Sequence, residues 1–231
     1  MCITLKRSIT LLLLAVSLPT LAAEQPYPSK PIRMVVAFPP GGLADVVARI
    51  IFQPVTQQLG HNIIIDNRPG ALGAIAGDIV ARAAPDGYTL LFTTSSTMSA
   101  VPALTRKPPY DPVRDFTPIT DVGRVTFFMF VHPSLPVRTM TELIDYIRVN
   151  PGKLNYGTTS ATPMIATAQL LLQYKLDALR IPYKGDALTA TDLVGGRIQF
   201  AFMSTVPGYG QAREGKLRML ATLMPRRSAL A

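Results

Sequence analysis

Three observations predict an α/β protein of two lobes with parallel-rich sheets. Short apolar runs alternate with segments of helical period along most of the chain. A Pro-, Asp- and Arg-rich stretch, Thr105 to Pro118, breaks that alternation once, after which it restarts. The hydrophobic fraction of 48% sits in short runs between Gly, Pro and polar turns, as buried parallel strands require.

The elements follow in order. Lys6 and Arg7 precede the largely apolar run Leu11 to Leu18, and the small residues Thr20, Ala22 and Ala23 follow it. This predicts a cleavable export signal over 1–23, since the run falls short of the roughly 20 apolar residues of a membrane span. In the first half, strands are expected at Ile32 to Phe38, Asn62 to Asp66 and Tyr88 to Thr93. The helices between them are Leu43 to Leu59, kinked at Pro54, and a segment near Ala74 to Ala83. That βαβαβ order implies parallel strands with right-handed crossovers. The second half is expected to hold strands Val125 to Val131, Leu154 to Gly157, Leu179 to Tyr183, Ile198 to Phe202 and Leu217 to Leu223. Its helices are Met140 to Arg148, Pro163 to Tyr174 and Ala187 to Val194. The first lobe is therefore placed at 24–118, the second at 119–223, and the start of a return crossover at 224–231.

The catalytic inventory is thin. The single cysteine, Cys2, falls in the export signal, so disulfides, thiolate chemistry and Cys-ligated metals are not expected of the mature chain. His61 and His132 lack partners at metal-ligand spacing. No G-x-S-x-G elbow or P-loop occurs, and Gly70 to Gly77 has three glycines without the dinucleotide spacing. The formal charge of +9, less Lys6 and Arg7, is +7, and it is scattered. Nucleic acid is therefore not an expected partner, whereas mild attraction of anionic solutes is. No metal, cofactor or enzymatic activity is expected.

The chain does carry small-residue loops at strand ends. Phe38-Pro39-Pro40-Gly41-Gly42 leads into a helix whose first turn holds Asp45. Glycine amides at a helix N-terminus suit a bound carboxylate. The same residues also read as a tight turn with a first-turn helix acid. Thr93 to Thr97, with Ser95, follows the third strand, and Gly157 to Thr162 precedes a helix in the second half. Each hydroxyl-rich loop is also a plausible cap. Together they lie on the sheet edge where open α/β proteins bind ligands.

Eight stretches in register carry a resemblance. They are Tyr27 to Arg33, Pro40-Gly41-Gly42 with Asp45, Asp66 to Gly70, and Ala84 to Leu90. Tyr110 to Phe116, Pro151 to Tyr156, Pro182 to Gly185, and Asp192 to Gly196 complete the set. With them the chain resembles the tripartite tricarboxylate transporter substrate-binding proteins, the Bug receptors. The resemblance implies a two-lobed periplasmic-binding-protein-like (type II) fold. It also implies an exported receptor closing on a small organic acid and delivering it to membrane permease subunits. Loop amides, hydroxyls and waters would hold the acid. Phe38, Pro40, Gly41, Gly42, Asp45 and Ser95 would cup one end. Thr158, Thr159, Ser160 and Thr162, with Ala187 and Thr189, would close from the second lobe, and Ser204 is a further candidate.

The family's second-lobe loop commonly runs Gly-Asn-Gly-Thr-Ser-Ser-His, whereas Ser160 to Ile165 is shorter and more apolar. Met98 and Val101 stand where His and Asn are common. Both changes imply a less polar or more loosely held ligand. Family members also return to complete the first lobe. Here that return begins only at 224–231, so a truncated or fragmentary chain with an exposed apolar face on lobe one is expected. A monomer is the default. The other functions weighed are a ligand-presenting receptor for a membrane sensor and a non-functional remnant of such a receptor.

Overall fold

The computed structural model describes residues 26–226 and Ser228. The expected export signal, 1–23, lies outside the described residues, as do Arg227 and residues 229–231 of the expected crossover.

The first sheet has strands β1 (Ile32–Val36), β2 (Ile63–Asn67) and β3 (Thr89–Phe92) in the order β2-β1-β3, all parallel. Strand β1 is covered on both faces, which explains the unbroken apolar run from Met34 to Phe38. Met34 and Val36 pack towards Ala48 and Phe52 of helix α1 (Leu43–Leu59). Val35 and Ala37 pack towards Ala76 and Ile79 of helix α2 (Ala74–Ala81). Helix α1 continues through Pro54 and ends at Gly60, whose φ of 68° is left-handed. Ile50 on α1 and Ile64 on β2 are 66% and 54% exposed.

A helical segment that was not expected follows β3. Ser96–Ala100 forms a π-helical turn that runs into α3 (Val101–Leu104). Its Ser, Thr and Pro residues read as loop in the sequence. Tertiary contacts hold it: Val101 is buried, and the Tyr110 hydroxyl donates to the Thr97 carbonyl at 2.7 Å. Residues 105–127 then cross between the lobes without regular structure. The Tyr110 ring anchors them against Gly77, where a Cβ would stand 2.3 Å from the ring.

The second sheet has strands β4 (Phe128–Val131), β5 (Asn155–Thr158), β6 (Leu179–Pro182), β7 (Phe200–Met203) and β8 (Arg218–Thr222). Their order is β6-β5-β7-β4-β8. Strands β6, β5 and β7 are parallel, whereas β4 runs antiparallel to both β7 and β8. Apolar alternation looks the same in either direction, so the reversal was not visible in sequence. Met129, Val131, Phe200 and Phe202 pack into one core, and Phe128, Phe130, Ala201 and Met203 into the core on the opposite face. Helices α4 (Met140–Val149), α5 (Ala161–Tyr174), α6 (Asp186–Val194) and α7 (Thr205–Arg213) cover this sheet or cap its ends. Helix α7 was not expected, because Pro207, Gly208 and Gly210 read as breakers. Gly208 is needed there: a Cβ would lie 2.6 Å from Cζ of Phe130.

Candidate functional site

A cavity of about 240 Å³ lies between the lobes, beside the C-terminal ends of β1, β5 and β6. Ala37, Phe38 and the turn Gly70 to Gly73 form its first-lobe wall. Thr158, Thr159, Ser160 and Met164 face them from β5 and α5. Arg180, Pro182, Tyr183 and Lys184 of β6 and its following loop complete the lining. The lobes touch beside it. Pro39 presses on Gly185, where a Cβ would meet the proline ring at 2.6 Å, and the Ala161 N–H donates to Ser96 Oγ at 3.1 Å. A larger, more open depression of about 440 Å³ lies by α7 and β8. It receives nothing from the first lobe, so the inter-lobe cavity is the better candidate.

The first-lobe wall is backbone held in an unusual form. Gly70, Ala71, Leu72 and Gly73 have φ of 131°, 47°, 58° and 92°. For Ala71 and Leu72 the left-handed region costs about 1–2 kcal/mol each. The surroundings enforce it: Thr97 Oγ1 donates to the Leu72 carbonyl at 3.3 Å. A Cβ at Gly73 would stand 2.0 Å from that same Thr97 Oγ1. Strain of this kind collects at ligand-facing turns.

The second-lobe wall favours an anion. Thr158 and Ser160 are buried and line the cavity, yet among the described residues their hydroxyls have no protein hydrogen-bond partner. Arg180 and Lys184 also form no ion pair among the described residues. The Arg180 guanidinium donates to Met164 Sδ at 3.1 Å. Tyr183 donates to Asp192 at 2.8 Å. Burial first, and then the Asp192 carboxylate, push its phenol up to about 12, so it stays a neutral donor.

The predicted site residues fall into groups. Phe38, Thr158, Thr159 and Ser160 line the cavity. Pro40 and Gly41 are exposed beside it, and Gly42 is the N-cap of α1. The Gly41 N–H donates to Asp45 at 3.0 Å and the Gly42 N–H to the Pro39 carbonyl at 3.3 Å, so the turn uses both amides. Asp45 is buried and accepts also from Arg49 and from Asn67 Nδ2. Ser95, Thr162 and Ala187 are exposed and not among the lining residues. Thr189 is fully buried and donates to the carbonyl of Gly185, the N-cap of its helix.

Ser204 is buried at the N-cap of α7 and meets Asp186. One Asp186 oxygen accepts from Thr159 Oγ1 at 2.7 Å. The other accepts from the Ser204 N–H at 2.9 Å and its hydroxyl at 2.5 Å. Sequence reasoning missed Asp186, Arg180, Lys184 and the Gly70 to Gly73 turn as site residues. The signals available were Pro182 to Gly185 and the clustered glycines after Asp66.

A two-lobed α/β fold with a cleft at the strand ends is the architecture of solved periplasmic binding proteins. The chain is similar to the solved periplasmic binding protein BugD, at 32% identity and a TM-score of 0.81, covering 87% of this chain and 68% of that one. MatC from Rhodopseudomonas palustris with bound malate is 29% identical, with a TM-score of 0.80 over 87% and 69%. An R. palustris protein with adipate is 33% identical, with a TM-score of 0.82 over 87% and 68%. The Tripartite tricarboxylate transporter family receptor matches residues 47–230, and the chain belongs to this family of receptors, which are not enzymes. Protein BugT of Bordetella pertussis is 35% identical over 206 residues, 87% of this chain and 63% of that protein. The UPF0065 protein in the gbd 5' region of Cupriavidus necator is 32% identical over 216 residues, 92% and 65% of the two. The chain thus spans about three-fifths of the length of the curated relatives it matches.

Proposed function

We propose that this chain captures a small carboxylate in the periplasm, as a monomer, for the permease subunits of a tripartite tricarboxylate-type transporter. One observation carries the reading. The inter-lobe cavity presents the hydroxyls of two buried residues, Thr158 and Ser160, beside Arg180 and Lys184, and among the described residues neither hydroxyl has a hydrogen-bond partner and neither cation an ion pair. Donors and cations converging on an otherwise apolar cavity favour an anionic solute. A volume of about 240 Å³ suits a solute smaller than a drug-sized ligand. The family's receptor role and the adipate and malate of two relatives support the same reading. Residues 1–23, read as an export signal, support the location. Binding proceeds without chemistry, because no lining residue is an activated nucleophile and Tyr183 holds its proton. Isothermal titration of the purified chain against mono-, di- and tricarboxylates, amino acids and aromatic acids tests this. Saturable heat from at least one acid is expected, and none from any of them refutes it.

A further inference from the structure

We infer that Asp186 sets the charge that the cavity tolerates, so that the ligand carries a single carboxylate and an uncharged or cationic far end. This rests on the carboxylate-capture reading and narrows it. Three donors of the second lobe converge on one carboxylate: the Thr159 hydroxyl at 2.7 Å, the Ser204 N–H at 2.9 Å and the Ser204 hydroxyl at 2.5 Å. That constellation, at the start of helix α7, has the form of an anion site. The chain fills it from within. Thr159 lines the cavity, so the Asp186 charge lies one hydrogen bond behind the wall.

Asp186 has no cation of its own to neutralise it: no Lys or Arg among the described residues pairs with it. Gly185 beside it is pressed against Pro39 of the other lobe, which limits the water available for screening. A solute carboxylate approaching Thr159 therefore meets the Asp186 charge and a hydroxyl already donated to it. The remaining donors, Thr158 and Ser160 with Arg180 and Lys184, provide for one carboxylate. A second anionic group on the same small solute would be repelled, whereas a methyl end is tolerated and an ammonium end attracted.

The experiment is calorimetric titration of the full chain with matched acids: butyrate, succinate and the ω-amino acid of that length, then hexanoate, adipate and their ω-amino counterpart. In the wild type the monocarboxylate or amino acid binds about tenfold or more tighter than the dicarboxylate of equal length. Asp186→Asn keeps the shape, removes the charge, and closes that gap about tenfold. A wild type that binds the dicarboxylate as tightly as its monocarboxylate overturns the inference, and this comparison needs no folded variant. Asp186→Asn weakening all the probes alike also overturns it, since that is the signature of a purely structural role. No heat from any probe with either form refutes the carboxylate reading itself, and this inference with it.

Discussion

Asp45→Asn replaces one carboxylate oxygen with an amino group and changes almost nothing in shape. The structure says what that group would meet. Oδ1 accepts from Arg49 Nη2 at 2.9 Å and from Asn67 Nδ2 at 3.0 Å. Oδ2 accepts from the Gly41 N–H and from Arg49 Nε, both at 3.0 Å. Whichever way the amide turns, its NH₂ faces two donors. Two hydrogen bonds to a charged acceptor are lost, nominally about 1.5–3 kcal/mol each. Arg49 is 55% exposed and regains water, which removes much of its share. The net destabilisation is about 2–3 kcal/mol. Urea unfolding at pH 7 measures it.

A pH series separates charge from shape. Burial, the largest single influence on Asp45, raises its pKa. The hydrogen bonds from Arg49, Gly41 and Asn67, with the Arg49 charge, together outweigh it and hold the group below the ordinary carboxylate range. A lowered native pKa contributes stability that is fully present above the unfolded value of about 4 and is lost as pH falls through the native one. The gap between wild type and variant should therefore be constant from pH 6 to 8 and close on acidification. A cost below about 0.5 kcal/mol at pH 7, or a gap unchanged in acid, would refute the argument.

Two further substitutions follow from the same geometry. Ser96→Ala strands the buried Ala161 N–H at the lobe contact, so carboxylate affinity should fall about tenfold and exchange of that amide should accelerate, both measurable by calorimetry and hydrogen exchange. Gly208→Ala drives a methyl into the Phe130 ring and should lower the stability of the second lobe by about 1–3 kcal/mol in denaturant unfolding.

Much of the fold was legible. The buried run of β1 and the apolar faces of α1 and α4 emerge from periodicity within one turn or two residues of pleat. The two missed helical segments share a cause. Ser96 to Leu104 and Thr205 to Arg213 carry weak or contrary local preference, and contacts from Tyr110 and Phe130 compensate. The antiparallel course of β4 was equally hidden, since a strand's pattern has no direction.

The site divides in the same way. Short-range sequence determined that the chain alternates strand and helix and that small, hydroxyl-bearing loops stand at the strand ends. It also showed which catalytic motifs the chain lacks. Only the tertiary structure decided which of those loops face a cavity and which donors are already used. Gly41 and Gly42 looked available as amides until Asp45 and the Pro39 carbonyl were found to hold them. Asp186 carried no local signal, because its partners Thr159 and Ser204 lie 27 and 18 residues away. Hydrogen bonding and charge act through distances in space. Periodicity reports only which face a residue occupies, so which groups are left for a solute is settled when the lobes are built.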